Sequence, residues 1–176
     1  VGKYFNCKRV VGVVHEALEC HGGNGFIEEG PMARLYREAP LNGIWEGSGN
    51  IIALDVLRAA AKSPESVPAF LDEVRLAKGS DRHLDRMIDR IETELRSPDE
   101  HEARARRIVE EMATALQASL MIRHSPAAVA DAFCATRLGD DGGGGTYGNL
   151  PAGLDQRAIV ERARMAPSLG AADAGL

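Results

Sequence analysis

Apolar residues recur at helical intervals along nearly the whole chain. Phe5, Val10, Val13, Val14, Ala17 and Leu18 predict a helix over residues 2–21, closed by Gly22. Pro31, a favoured first-turn residue, opens a second helix that runs to about Ala39, before Pro40. A third begins near Ser48, with Ile51, Leu54, Val56 and Leu57 as its apolar stripe, Ser48 or Asn50 as its cap, and Arg58 and Lys62 near its C-terminal end. From Pro64 the pattern becomes charged and Pro-punctuated. It predicts helices over 64–78, 80–96, 98–123 and 126–138, broken at Gly79, Ser97-Pro98 and Ser125-Pro126. Leu84, Ile88, Ile91 and Leu95 form a stripe, while Asp81, Asp85 and Asp89 alternate with Arg82, Arg86 and Arg90 on the solvated side. Strand-type alternation is nearly absent, so the predicted fold class is all-α.

Residues 139–149, with four consecutive glycines after two aspartates, read as a flexible linker. A phosphate-cradling loop is disfavoured there, because no lysine follows and Asp140 and Asp141 repel phosphate. One more helix is predicted from Leu154 to Met165, and the Ala-Gly-rich end is expected to be disordered.

The chain has 176 residues, 44% of them hydrophobic, enough to bury about one core. It opens on Val-Gly-Lys-Tyr-Phe with neither a methionine nor a helix cap, and reads as a cut fragment. Cys7, Cys20 and Cys134 are odd in number and widely spaced, so neither a disulfide framework nor a zinc site is indicated. The five histidines form no metal-ligand pattern. No stretch approaches the roughly 18 apolar residues of a membrane span, and His15 and Glu16 end the first apolar run too soon for a signal peptide. A cytoplasmic protein is expected. The formal net charge of -5, with 10 basic against 13 acidic residues over 63–128, argues against a nucleic-acid surface. Arg104, Arg106 and Arg107 form a tight basic cluster, but Glu100, Glu102, Glu110 and Glu111 surround them, as on a salt-bridged helix face.

The segment with the most chemistry is Ile-Trp-Glu-Gly-Ser-Gly-Asn-Ile-Ile, residues 44–52. Glu46 stands between bulky apolar residues and a pair of glycines. A carboxylate desolvated on one side and approachable on the other has the raised pKa that a general base needs. The same Gly-Ser-Gly-Asn is also an ordinary helix start, so site and cap both remain open on residue types alone. Upstream lies Glu-Cys-His-Gly-Gly-Asn-Gly-Phe, residues 19–26, where three glycines in four positions require positive φ or close backbone approach. Between the two is Arg34-Leu-Tyr-Arg37-Glu38.

In this order and spacing the three pieces resemble the C-terminal helical domain of the acyl-CoA dehydrogenases, whose motifs are Gln-x-x-Gly-Gly-x-Gly-Tyr, Arg-x-x-Arg-Asp/Glu and Tyr-Glu-Gly-Thr-x-Gln. The stretch Leu54-Asp55-Val56-Leu57-Arg58 narrows the resemblance to the branch that includes a bacterial alkylation-response protein. The diagnostic motifs cover Glu19 to Arg58, about a quarter of the chain.

The resemblance implies three parts: residues 1–62 from the flavin dehydrogenase helical domain, 63–138 as a helical extension, and 139–176 as a Gly-rich linker with a short helical tail. It implies FAD as cofactor, an acyl-CoA substrate desaturated between Cα and Cβ, Glu46 as base, and hydride transfer to flavin N5. Backbone N–H groups at Glu46 and Gly47 would polarise the thioester carbonyl. Ser48 and Asn50 stand where the family's Thr and Gln contact the flavin, Asn being one methylene shorter than Gln. Gly22 and Gly23, with Glu19 in the place of Gln, would reach the FAD of a neighbouring subunit. An acid there is compatible with a pyrophosphate only if it points away or is paired. A homo-oligomer follows, and Phe5, Val10, Val13 and Val14 offer it an apolar face. Arg34, Arg37 and Glu38 are expected to pin the loop carrying Glu46. The branch also implies duplex DNA, bound through phosphate without sequence preference, with Arg58 as the matching residue.

Overall fold

The computed structural model describes residues 1–96, 101–140 and 146–164, and every regular element among them is helical. Helix α1 (Gly2–Cys20) is followed by a single turn, α2 (Gly23–Phe26), then α3 (Pro31–Glu38), a 3-10 turn (Ala39–Gly43) and α4 (Gly49–Lys62). Next come α5 (Ser66–Arg75), α6 (Arg82–Arg96), α7 (His101–His124), α8 (Ala127–Arg137) and α9 (Gln156–Ala163). The all-α expectation is met, with α1 and α3 starting where predicted and the other predicted helix starts shifted by one to three residues. The breaks around Ser97-Pro98, the glycines of 141–145 and the chain end from 165 lie outside the described residues.

Helix α7 organises the molecule, because α1, α4, α5, α6 and α8 all pack on it. Its buried positions include Ala105, Ala113, Ala115, Ala118 and Ser119, small side chains that let neighbouring backbones come close. The main core joins Leu71 and Val74 of α5, Leu84, Ile88 and Ile91 of α6, Ile108 and Met112 of α7, and Cys134 of α8. The stripe predicted on α6 is therefore its buried face. Asp81 caps α6 by accepting from the backbone N–H of His83 (2.8 Å) and Leu84 (3.0 Å). A second, smaller core joins Tyr4 of α1 and Ala53 of α4 to Ala105 and Val109 of α7.

Helix α4 departs from the expected stripe. Its buried centre is Ala53, flanked by half-buried Ile52, Val56 and Leu57, while Ile51 is exposed. The small Ala53 is what α4 turns toward α7, and the larger Ile51 falls outside that contact. Ser48 is the N-cap residue of α4, but its hydroxyl makes no capping hydrogen bond.

The basic cluster of α7 is tied up as expected of a solvated helix face. Arg104 pairs with Glu94 (2.5 Å), and Arg107 with Glu111 (3.0 Å). The end of the predicted linker is docked: the Arg9 guanidinium lies 4.7 Å from the ring centre of Tyr147, and a Cβ on Gly12 would meet that ring at 3.0 Å. Helix α9, capped by Asp155 through the N–H of Ala158 (2.9 Å), packs on α8.

Candidate functional site

Glu46 sits in the five-residue turn, 44–48, between the 3-10 turn and α4, at φ 53°, the one described non-glycine residue with positive φ. Gly47 follows at φ 105°. The left-handed conformation costs a non-glycine residue such as Glu46 of order 1–2 kcal/mol, and such strain persists only where the surroundings hold it. The holding group is Lys3. Its ammonium donates to the carbonyl oxygens of Asn42 (2.6 Å) and Trp45 (3.2 Å) and to the sulfur of Cys7 (3.1 Å). The first turn of α1 thereby fixes the backbone on both sides of Ile44.

Two expectations about this loop are corrected. Glu46 is exposed, and Ile44 and Trp45 beside it are 66% and 55% exposed, so this chain does not itself supply the desolvation expected from its apolar neighbours. Nor do Arg34, Arg37 and Glu38 pin the loop. Arg37 instead forms a two-pronged pair with Glu28 (2.6 and 2.9 Å), which bridges α3 to the segment after α2 and holds the Glu28 carboxyl below its ordinary range.

Ser48 is exposed at the start of α4. The Asn50 side-chain oxygen accepts from Arg106 of α7 (3.3 Å), and the same guanidinium donates to the hydroxyl of Tyr4 (3.4 Å). This contact occupies the amide oxygen of Asn50, so its NH2 is the group it could offer a ligand. Sequence reasoning missed both Lys3 and Arg106. The signal for Lys3 is generic: a 3-10 turn leaves carbonyls without intrahelical donors, and some cation must reach them. No comparable signal marks Arg106, whose pairing depends on packing across more than fifty residues.

The Gly-rich turn is also built by close packing. Gly22 adopts φ 56°, and Gly25 is buried where a Cβ would lie 2.3 Å from the carbonyl oxygen of Leu18. Gly23 has open space around it. Glu19 is exposed, and its carboxylate lies 3.9 Å from the His15 ring nitrogen one turn back. Arg58 forms an ion pair with Asp55 on its own helix and is exposed. No cluster of three or more His, Cys, Asp or Glu side chains placed for a metal occurs among the described residues.

The family described as "Acyl-CoA dehydrogenase, C-terminal domain" matches residues 1–61, the stretch that contains the Gly-rich turn, the Arg34–Glu38 helix and the Glu46 turn. Residues 1–61 belong to the acyl-CoA dehydrogenase family. The chain is 38% identical over 141 residues to AidB of Escherichia coli (strain K12), a similarity that covers 80% of this chain and 26% of AidB and so extends beyond the family segment into the later helices. It is 34% identical over 86 residues to acyl-CoA dehydrogenase family member 11 of Caenorhabditis elegans, covering 49% of this chain and 14% of that protein. It is 37% identical over 86 residues to 3-methylmercaptopropionyl-CoA dehydrogenase of Ruegeria pomeroyi, covering 44% and 14%. The chain thus spans about a quarter, or less, of each of these relatives. No helix among the described residues is long and apolar enough to cross a membrane.

Proposed function

We propose that this chain is the C-terminal part of an FAD-dependent, acyl-CoA dehydrogenase-like oxidoreductase that desaturates an acyl thioester between Cα and Cβ, with Glu46 as the base. The observation that carries the reading is the Glu46 turn itself: an exposed carboxylate on a residue at positive φ, with the preceding carbonyl held by Lys3 and with Gly47 following at φ 105° against the Ile52 side chain.

The residues present fit a flavin in kind. Ser48 offers a hydroxyl not spent on capping, Asn50 an amide NH2, and Gly22 and Gly23 a turn with no side chain in the way. When bound, FAD supplies the hydride acceptor, at N5, for the Cβ hydrogen. This chain's own part is to hold the α proton's acceptor, Glu46, and to aim the backbone N–H groups at Glu46 and Gly47 toward the thioester oxygen where enolate charge develops. Glu19 is exposed, with its carboxylate 3.9 Å from the His15 ring nitrogen, a partner that offsets its charge when the imidazole is protonated.

The exposed apolar side chains at the site, Phe26 (78%), Ile44 and Trp45, favour a covering surface from the rest of the protein or from a neighbouring subunit. That supports the homo-oligomer and would supply the desolvation of Glu46 that the chain alone lacks. In this reading residues 1–62 complete the dehydrogenase helical domain. Residues 63–138 are an extension whose α7 buttresses α1 and α4, residues 139–176 are a tail, and the protein is cytoplasmic. The alternative, a flavin-containing duplex-DNA-binding protein with little dehydrogenase activity, rests on the resemblance to the alkylation-response branch. Its residue on this chain, Arg58, has its charge engaged by Asp55.

The test is Glu46→Gln in the full-length protein. FAD content should be kept, while flavin reduction by acyl-CoA falls by more than the roughly 10²–10⁴ usual for loss of a proton acceptor. Undiminished reduction would remove Glu46 from the role.

A further inference from the structure

Between α1, α7 and α8 runs a groove of about 690 Å³, within the size range of small-molecule sites. Phe5, Val10 and Val13 line it from α1 and Phe133 from α8, and Arg9 and Arg137 line it as well. Both guanidiniums lie against the ring of Tyr147, at 4.7 and 5.6 Å from its centre, and Arg9 also lies 5.7 Å from the ring of Phe5.

The charge in this groove is unbalanced. Both arginines are half-buried, and neither forms an ion pair among the described residues, although most other arginines of the chain do. Burial and the neighbouring Arg9 pull the Arg137 pKa down. Two like charges brought together out of water are unfavourable unless an anion joins them. Tyr147 offers each a π face, which is weaker compensation than a carboxylate. Glu110, from α7, also lines the groove without pairing with either arginine, and it opposes the entry of a second negative charge.

We propose that this groove binds a monocarboxylate on an apolar stem, its carboxylate bridging Arg9 and Arg137 and its stem lying along Phe5, Val10 and Phe133. The groove shares no residue with the Glu46 turn, so the site stands whether or not the dehydrogenase reading does. The planar guanidiniums match a carboxylate in pairs of N–H···O bonds, the apolar walls bury the stem, and Glu110 selects one charge over two.

Titration calorimetry on the full-length protein tests this with octanoate as probe, octylamine as the same stem with opposite charge, and acetate as the head without the stem. Octanoate should saturate one site, with the other two at least about tenfold weaker. Arg9→Gln and Arg137→Gln should each weaken octanoate about tenfold at unchanged FAD content and melting temperature. Val13→Trp, at a half-exposed position on the groove's rim, should block octanoate by filling the space, independently of either arginine. Absence of saturable octanoate binding, binding that survives Arg137→Gln and Val13→Trp, or stronger binding of inorganic phosphate than of octanoate would each overturn the proposal.

Discussion

The Lys3 ammonium donates to the Trp45 carbonyl at 3.2 Å and so ties the first turn of α1 to the peptide that leads into Glu46. A second bond, to Asn42, holds the other end of the same turn. The position of the candidate base is thus set from outside its own loop, by a residue 43 positions earlier.

Lys3→Met keeps most of the aliphatic stem and removes the donors. Because the ammonium is partly exposed, the loss of stability should be only about 1 kcal/mol, below the usual range for buried charge-assisted bonds. The larger effect should fall on chemistry: in the full-length protein, flavin reduction at saturating acyl-CoA should slow at least tenfold while bound FAD is unchanged, since about an ångström of misplacement costs that much or more. Stopped-flow absorbance reads this directly, and an unchanged rate would separate Lys3 from the site.

The Gly-rich turn offers a paired test of packing against function. Gly25→Ala puts a methyl into the Leu18 carbonyl, a backbone atom that cannot swing aside, and should destabilise by about 1–3 kcal/mol. Gly23→Ala meets nothing within 4 Å and does not occupy positive φ, so stability should hold within about 0.5 kcal/mol. If the turn lies against the cofactor of a neighbouring subunit, Gly23→Ala should still lose FAD affinity. Thermal melts and flavin retention on gel filtration distinguish the two, and full flavin retention in Gly23→Ala would take that turn out of the cofactor site.

Much of the fold was legible because helices announce themselves by period and punctuation. Pro31, Gly22 and Pro126 each lie within a residue or two of a real boundary, Gly79 falls in the break between α5 and α6, and the α6 stripe is the buried face. The Glu46 segment was legible as a helix start, which it is: Ser48 opens α4 while Glu46 and Gly47 form the turn before it. What sequence could not give is which long side chains cross between elements. Arg37 was expected to pin the Glu46 loop and pairs with Glu28 instead, Lys3 reaches the loop and Arg106 reaches Asn50 from helices with no local motif, and Ile51 yielded the buried position to Ala53. Those outcomes depend on how α1 and α7 meet α4, and local spacing carries no record of that.

Glu111 presents a buried carboxylate whose two oxygens fare differently. Oε1 accepts from Arg107 (3.0 Å) and lies 3.2 Å from an Arg90 nitrogen, while Oε2 is buried with no hydrogen-bond partner among the described residues. Burying a carboxylate costs several kcal/mol, which such pairing only partly offsets, whereas Arg90 and Arg107 can turn to water, being 47% and 62% exposed. Glu111→Met should therefore be neutral or stabilising by about 1 kcal/mol in urea unfolding. Destabilisation beyond about 2 kcal/mol would mean that the ion pairs outweigh the orphaned oxygen.

Cys134 provides a pH signature of the core. Burial first, then the negative charges of Asp81 and Asp131, push its thiol from the ordinary value of 9.0 up to about 12. Folding therefore favours the protonated thiol. The stability this contributes is fully present below about pH 9 and is drained as the pH climbs toward 12, because only the unfolded chain releases the proton easily. Cys134→Ala should be less stable than the parent near neutral pH through lost packing in the α5–α8 core, and the gap should narrow steadily above pH 9. Urea unfolding of both proteins across that range measures the gap, with lysine and tyrosine titrations common to both and cancelling in the difference. A maleimide should label the exposed Cys20 of the native protein within minutes and leave Cys134 untouched until unfolding. A constant gap from pH 8 to 11, together with rapid native labelling of Cys134, would place that thiol at the surface and dismantle the packing of α8 against α6 and α7 described above.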